Sequence, residues 1–255
     1  MVPGYSEQHR LVQEKFTQHA ERWGHMQVDD DLQAILGRIR LSPEARVLDV
    51  AAGSALLSRA LAPRVREVVA TDITAAMLAR GREAAQREGI SNITFVEAAA
   101  EALPFDDGAF DLVMTRFSLH HIAEPQRVVN EMTRVARGRG QVLVIDMLVE
   151  DDPVLSERAN AIERLRDPSH AWTPTFSQLR GYVETAGGKI VDSFLQERTR
   201  DLDDWIKLSG EEVRDELRAV FEAELSGGER TGLRPFREGD AVRFAHPLGI
   251  VLAQA

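Results

Sequence analysis

Short apolar runs alternate with amphipathic stretches of helical spacing between residues 46 and 147 of the 255-residue chain. The runs of strand length are Arg46–Val50, Glu67–Thr71, Ile93–Glu97, Phe110–Thr115 and Gln141–Met147. The stretches with helical periodicity are Leu56–Leu61, Ala75–Arg87 and Pro125–Ala136. Because strands that alternate with helices form parallel sheets covered on both faces, this pattern predicts an α/β fold with a doubly wound sheet.

Three segments fall outside this alternation and predict additions to the sheet. Residues 1–40 predict a helical cover, and residues 151–174 predict a helical insertion over the C-terminal edge of the sheet. The charged segment 200–238 is predicted to be helical. It lies between two late strand candidates, Lys189–Glu197 and Ala241–Ala253, one of which we expect to be antiparallel.

The division of the chain follows from these segments. We expect a single domain over 1–255, in which residues 41–150 form the cofactor-binding core and residues 175–255 form the C-terminal half of the sheet with charged helices. The glycines of "RGRGQ", residues 137–141, are expected to end a helix and to turn the chain into the fifth strand.

Composition excludes several classes of function. The net charge is −10 and the basic residues are not clustered, so we expect no nucleic-acid partner. The chain has no cysteine, which excludes disulfides, thiolate catalysis and cysteine-bound zinc. No apolar run approaches the roughly 18 residues of a membrane span, and no signal-peptide pattern is present. We therefore expect a cytoplasmic monomer or homodimer with no membrane partner.

A small-residue turn follows the first strand candidate in "VLDVAAGSALL", residues 47–57. Strand, turn and helix in this order bind nucleotide-like cofactors in open α/β sheets. Gly53 is the one glycine of the turn; Ala51 and Ala55 flank it, and Leu56 stands where a dinucleotide motif has its third glycine. Because alanine is tolerated at negative φ, we expect only Gly53 to be left-handed. The turn fits a dinucleotide poorly.

Asp72 ends the second strand candidate, 19 residues after Gly53. A carboxylate at this place can accept hydrogen bonds from both hydroxyls of a ribose. The same residue could instead cap the helix that follows, since Asp is a common N-cap. Together with the turn, the ribose interpretation is favoured.

Four stretches in order, "VLDVAAGSA", "VVATDITAAML", "VEAAAEALPFDDGAFDLV" and "FSLHHI", resemble motifs of the class I S-adenosylmethionine-dependent methyltransferases. The resemblance covers residues 45–147 and is to the small-molecule branch, which includes quinone and sugar methyltransferases. It implies a Rossmann-like seven-stranded sheet whose last strand is antiparallel. It also implies S-adenosylmethionine as the cofactor and a small-molecule methyl acceptor.

The resemblance further implies a role for residues at the strand ends. The methionine end of the cofactor would be lined by Asp49, Ala51, Gly53, Arg116 and Phe117. Asp72 would hold the ribose, and the adenine would lie among Ile73, Met77, Ala99, Ala100 and Glu101. The family commonly has an aspartate where this chain has Ala99, so backbone groups or a water would have to bind the adenine amino group.

Two aromatic residues of the N-terminal cover are further candidates for the cofactor site. Phe16 and Trp23 could present an aromatic face to the sulfonium cation. Ordinary packing of a helix on the sheet is the alternative for both residues.

His120 and His121 follow the fourth strand candidate, and Asp146 ends the fifth. A hydroxyl acceptor must lose a proton during methyl transfer, and histidine is the usual base near neutral pH. Certain sugar O-methyltransferases pair the first histidine of "LHH" with such an aspartate, so the resemblance implies a His120–Asp146 catalytic pair. The alternative is that an imidazole only packs near the cofactor, which is the role expected of His121. Adjacent histidines chelate poorly, so we expect no metal.

The insertion contributes "RLRDPSHAW", with Arg166, Asp167, His170 and Trp172. These residues could form a wall of the acceptor pocket. Alternatively, Asp-Pro-Ser caps a following helix and Trp172 fills the core.

The function predicted is methyl transfer from S-adenosylmethionine to a small molecule, with His120 and Asp146 as the base pair if the acceptor is a hydroxyl. The apolar residues of the added helices make an acceptor of low polarity plausible. A first alternative is an S-adenosylmethionine-binding protein of the same fold that transfers no methyl group, either a regulator or a cyclisation catalyst. A second alternative, a nicotinamide-dependent oxidoreductase, is disfavoured by Leu56.

Overall fold

A computed structural model describes residues 7–23 and 30–255 of the chain. Its strands are β1 Arg46–Val50, β2 Glu67–Asp72, β3 Ile93–Glu97, β4 Phe110–Arg116, β5 Ala136–Met147, β6 Lys189–Gln196, β7 Thr199–Asp201, β8 Pro235–Glu238, β9 Ala241–Ala245 and β10 Leu248–Gln254. Its helices are α1 Glu7–Trp23, α2 Asp30–Gly37, α3 Leu56–Leu61, α4 Ala75–Arg87, α5 Pro125–Val135, α6 Pro153–Arg166, α7 Phe176–Thr185, α8 Leu202–Ile206 and α9 Glu211–Leu225.

The main sheet has seven strands in the order β3-β2-β1-β4-β5-β10-β6. Strands β1 to β5 pair in parallel, and β10 runs antiparallel to both of its neighbours, β5 and β6. The predicted doubly wound sheet with an antiparallel last strand is therefore confirmed. In the described part of the chain, no helix has the length and apolar character needed to cross a bilayer.

Helices cover both faces of this sheet, as apolar parallel strands require. Val47 packs with α2 and α3 on one face, whereas the next residue, Leu48, packs with α5 and α7 on the other. Successive side chains of a strand point to opposite faces, so both must find an apolar partner. This arrangement brings the C-terminal ends of β1, β2, β4 and β5 to one edge, where the predicted site residues lie.

A second, three-stranded sheet in the order β7-β9-β8 was not predicted. Its apolar residues pack with α6, α8 and α9, and the rings of Trp205, Phe221 and Phe244 lie 4.9 to 5.9 Å apart at its centre. We call residues 197–247 the small-sheet module. The prediction that 200–238 is wholly helical is wrong, because this segment also carries most of β7 and all of β8.

The single strand predicted at Ala241–Ala253 is also wrong, because the chain changes sheets within it. Strand β9 ends at Ala245 and β10 begins at Leu248, with His246 and Pro247 between them. Proline has no amide N–H and cannot donate a hydrogen bond to a neighbouring strand, so the break between the two strands falls at Pro247.

The turn predicted at residues 137–141 lies instead within the first part of β5, which begins at Ala136. The pairing of β4 with β5 shifts register between Phe110 and Leu112, and Arg139 has a φ of 69°. A left-handed residue between two glycines forms a bulge that lets pairing resume. The chain therefore enters the strand by a bulge rather than by a separate turn.

Candidate active site

The turn after β1 takes the left-handed conformation at alternate residues. Ala51, Gly53 and Ala55 have φ values of 52°, 55° and 57°. The expectation that only Gly53 is left-handed is therefore wrong. The turn stays in place because the amide of Ala52 donates to the carbonyl of Thr71 and that of Ala55 donates to the carbonyl of Ala52, both at 2.8 Å. A β-carbon at Gly53 would lie 3.2 Å from Cε of Met77, a tight contact.

Asp49 fixes the start of α3 from the end of β1. Its Oδ2 accepts from the amide of Ser58 at 3.1 Å and from the Ser58 hydroxyl at 2.7 Å. The side chain is buried, and burial raises the pKa of the Asp49 carboxyl to about 7, although the hydrogen bonds from Ser58 oppose this. Near neutral pH this group can therefore take or lose a proton, and a nearby cation would favour the charged form.

Asp72 ties the turn to the start of α4. Its Oδ2 accepts from the amide of Gly53 and its Oδ1 from the amide of Thr74, each at 2.8 Å. The N-cap residue of α4 is Thr74, so Asp72 is not the helix cap. Each carboxylate oxygen keeps a further lone pair for a ligand. Burial raises the pKa of Asp72, and the backbone hydrogen bonds oppose it.

Helix α1 lies across the ends of β2 and β3 and is held by polar contacts that the sequence did not reveal. Gln13 Nε2 donates to the carbonyl of Ile73 at 2.8 Å, and His9 Nε2 lies 3.0 Å from Oε1 of Glu101. Met77 and Ala100 are buried beneath this region, and Ala99 uses its carbonyl to accept from the amide of Ala102. The side chain of Trp23 lies outside the described residues.

Arg116 and Phe117 form the edge of the site after β4. Phe117 is left-handed, with a φ of 56°, and its ring packs against the sheet core. The Arg116 guanidinium carbon lies 4.1 Å from the centre of that ring. The turn therefore fixes the position of a cation at the strand end.

His120 lies in a 3₁₀ turn, Leu119–His121, and contacts Asp146 directly. Its Nδ1 is 2.6 Å from Oδ1 of Asp146, and its amide donates to Oδ2 at 3.2 Å. The amide of Met147 donates to Oδ1 at 2.7 Å. Burial alone would raise the pKa of Asp146, but His120 and these amides outweigh it and hold the pKa below its ordinary value. A carboxylate on Nδ1 leaves the lone pair of His120 on Nε2, which has no hydrogen-bond partner among the described residues.

The imidazole of His121 has different partners from that of His120. Its Nδ1 lies 3.0 Å from the carbonyl of Ser169, and Phe16 meets its ring edge-on at 5.0 Å. Burial, followed by the neighbouring His120, lowers the pKa of His121 to about 3. His121 is therefore neutral at physiological pH and makes a structural contact to the insertion. Phe16 lies beside this imidazole.

The insertion crosses the same edge, as predicted. The amides of Ala171 and Trp172 donate to the carbonyl of His120 at 2.8 and 3.1 Å. His170 lies 5.8 Å from His120 between ring centres, and its Nε2 is 2.9 Å from Oδ1 of Asn160. Burial lowers the pKa of His170 to about 4.

The side chains of the other predicted wall residues have partners other than His120. Arg166 binds Glu163 and lies over the ring of Trp205 at 4.9 Å. Asp167 accepts from the amide and the hydroxyl of Ser169, and Trp172 Nε1 donates to Gln178 Oε1 at 3.3 Å. In the part of the chain that the structure describes, no group of three or more histidine, aspartate or glutamate side chains forms a metal site.

Comparisons with known proteins agree with this architecture. A family model described as "Methyltransferase domain" matches residues 48–144. YcgJ of Bacillus subtilis, an uncharacterized methyltransferase, is 32% identical over 198 residues, which are 76% of this chain and 78% of YcgJ. The ubiquinone/menaquinone biosynthesis C-methyltransferase UbiE of Hahella chejuensis is 38% identical over 117 residues, 44% of this chain and 47% of UbiE. The solved structure of a candidate methyltransferase from Bacillus halodurans has a TM-score of 0.82 at 27% identity, covering 89% of this chain and 99% of that one.

A sheet of this order with a strand–turn–helix unit at its C-terminal edge defines a Rossmann-like α/β fold. The chain belongs to the class I S-adenosylmethionine-dependent methyltransferases. The predicted family and enzyme class are confirmed, and the nicotinamide-dependent alternative is wrong.

Proposed function

We propose that this methyltransferase methylates a hydroxyl group of a small molecule, with His120 as the general base and Asp146 as its orienting partner. One observation carries the proposal: the 2.6 Å contact of Asp146 with Nδ1 of His120, which leaves Nε2 without a partner among the described residues. This is the pairing that makes an imidazole accept a proton at Nε2 and stabilises the imidazolium.

The residues at the strand ends suit S-adenosylmethionine. Asp72, held by two amides, offers lone pairs to a ribose diol, and Asp49 offers an anionic group to the ammonium of the methionine. Ile73, Met77 and the backbone of Ala99–Glu101 would lie along the adenine. The cofactor has no pyrophosphate, so a turn with one glycine suffices. When bound, it supplies a methyl group on a positively charged sulfur.

The chain's own residues would supply position and a proton acceptor. Nε2 of His120 takes the proton of the acceptor hydroxyl while that oxygen forms its bond to the methyl carbon. The bound cofactor would supply the methyl carbon and would keep the electron pair of the carbon–sulfur bond. Asp146 carries the negative charge that stabilises the imidazolium. The roles of His121 and Phe16 would be to hold the insertion and α1 over this site.

The His120→Asn substitution tests the assignment, because asparagine keeps a donor toward Asp146 but has no group at the place of Nε2. We expect turnover on a hydroxyl acceptor to fall by about 10²–10⁴-fold. Binding of S-adenosylhomocysteine, measured by calorimetry, should stay unchanged. Turnover is measured as S-adenosylhomocysteine formed across a panel of hydroxylated, amino and carbon-nucleophile metabolites.

Two outcomes would contradict the proposal. If His120→Asn turned over a hydroxyl acceptor as fast as the wild type, His120 would not be the base. If the wild type bound the cofactor yet methylated nothing on a broad panel, the alternative of a binding protein or cyclisation catalyst would be favoured.

A further inference from the structure

At the rim of the candidate active site, Arg200 is a cation that has no acidic partner within residues 7–23 and 30–255. It lies in β7 of the small-sheet module and is partly buried. The only hydrogen bond of its side chain among the described residues is from Nη2 to the sulfur of Met147 at 3.9 Å, and no described carboxylate lies within 4 Å of its guanidinium. Met147 follows Asp146 directly, so the guanidinium stands beside the strand end that carries the proposed base partner.

The charges around Arg200 are mixed. Burial is the main reason that the pKa of Arg200 falls to about 10; Glu163 opposes this, and the nearby guanidiniums of Arg166, Arg198 and Arg116 add to it. Glu163 is itself occupied, since it binds Arg166 at 3.0 Å and lies 3.4 Å from His246. Arg200 therefore stays charged at neutral pH and keeps its donors free for another anion.

A partly buried cation without a counter-ion is costly, because a charge taken out of water needs a pairing partner. The guanidinium presents its donors in a planar fork that matches the oxygens of a carboxylate or a phosphate. An acceptor that brought such a group would supply the missing charge. Its hydroxyl could then reach Nε2 of His120 across the end of β5.

The cofactor is a poorer candidate for this partner. Its methionine end would lie at Asp49 in β1, and β4 separates β1 from β5. Neighbouring strands are about 4.8 Å apart, so the ends of β1 and β5 stand about 10 Å from one another. Arg116, at the end of β4, lies closer to that methionine end: its charge lowers the pKa of Asp49.

We propose that Arg200 binds an oxyanion group, a carboxylate or a phosphate ester, on the methyl acceptor. This inference rests on the proposed function, because it names the charge of the molecule that the His120–Asp146 site would methylate. It differs from the low-polarity acceptor suggested by the apolar residues of the added helices. Those residues, such as Trp205 and Phe221, pack inside the small-sheet module rather than at His120.

The test compares charged and neutral probes in the presence of saturating S-adenosylhomocysteine. Benzoate, inorganic phosphate and benzamide are titrated at millimolar concentration and followed by calorimetry and thermal shift. We expect the wild type to bind one or both anions and not benzamide, and the stronger anion indicates the acceptor group. Arg200→Met should weaken anion binding at least about tenfold, the effect of losing about 1.4 kcal/mol, and leave S-adenosylhomocysteine binding unchanged.

Arg237→Met is the matched control, because Arg237 is an exposed arginine of the same small sheet that binds Glu222. It should bind the anions as the wild type does, and Arg200→Lys should keep part of the affinity. The inference is overturned if the wild type binds neither anion, if Arg200→Met binds them as tightly as the wild type, or if that variant loses S-adenosylhomocysteine instead. None of these readouts involves the base, so they are independent of the His120→Asn result.

Discussion

The proposed cofactor half and the proposed acceptor half of this site are built in different ways. The cofactor half comes from two consecutive strand–turn–helix units, in which the carboxylates of Asp49 and Asp72 bind mainly backbone amides a few residues away or in the neighbouring turn. The proposed acceptor half joins His120 to Asp146 and Arg200 to Met147 through side chains from distant parts of the chain, and the insertion meets the carbonyl of His120 through the backbone amides of Ala171 and Trp172. A backbone-built site tolerates sequence change around a fixed ligand, whereas a side-chain-built site can change its ligand by single substitutions.

The Asp146→Asn substitution should separate the two halves most strongly. An amide cannot hold His120 in the tautomer with its lone pair on Nε2, so we expect turnover to fall by about 10³–10⁴-fold. Calorimetry should show unchanged binding of S-adenosylhomocysteine. Asp111→Asn, at the opposite end of β4, is the control and should turn over at the wild-type rate. If Asp146→Asn turned over as fast as the wild type, Asp146 would have no role in the proposed acceptor half.

Asp72→Asn should give the reverse result. Its loss of charge removes hydrogen bonds to a charged group that contribute about 1.5–3 kcal/mol each, so S-adenosylhomocysteine should bind about 10- to 100-fold more weakly. Binding of benzoate or phosphate at Arg200 should not change. If cofactor affinity survived the substitution, Asp72 would serve only to brace the turn.

The pH dependence of stability should report on Asp49. Its pKa of about 7 in the folded protein exceeds the unfolded value of 3.8, so the folded state binds the extra proton and loses stability as pH rises from about 4 to 7. Asp49→Asn keeps an oxygen for Ser58 and removes this loss. The free energy of unfolding in urea should be measured for both proteins at pH 5 and pH 8. We expect the difference, variant minus wild type, to be about 1–2 kcal/mol larger at pH 8 than at pH 5, which is less than the full 1.36 kcal/mol per pKa unit. A gain that did not change with pH would contradict the buried-carboxyl account.

The smallest change, an effect on stability, is expected from a substitution in the turn after β1. Ala51→Gly relieves a left-handed alanine, a cost of about 1–2 kcal/mol, and adds unfolded-state entropy of about 0.5–1 kcal/mol. We expect a net gain of about 0.5–1 kcal/mol, seen as a melting temperature about 1–4 °C higher. Ala52→Gly is the matched control, because Ala52 is not left-handed and should lose stability. A gain in both variants would show that φ is not the cause.

The strand–turn–helix units of the proposed cofactor half could be predicted because their signals are local. Asp49, Gly53 and Asp72 follow one another at short spacing near strand ends, and the alternation of strands and helices predicts a doubly wound sheet but not the order of its strands. The backbone of the turn could not be predicted, since Ala51 and Ala55 are left-handed only because hydrogen bonds to Thr71 and within the turn hold them. Residue type alone favoured negative φ there.

For the proposed acceptor half, the resemblance was the only guide that the sequence offered. His120 and Asp146 were named, but Arg200 was not, because a single arginine in a charged stretch carries no sequence signal until β7 places it beside Met147. The small sheet was missed for a related reason. Its strands are three to five residues long, too short for alternation to show, and its core depends on aromatic residues spread from Trp205 to Phe244.

The break at His246 and Pro247 returns the chain from the small-sheet module to the main sheet beside the strand from which it left. Gln196, the last residue of β6, is the register partner of Leu248, the first residue of β10. The module is therefore a long excursion between two strands that a tight hairpin could join. Such an excursion can be exchanged for another of different sequence without altering the order of the sheet, so a lineage could acquire a new acceptor by replacing one continuous gene segment.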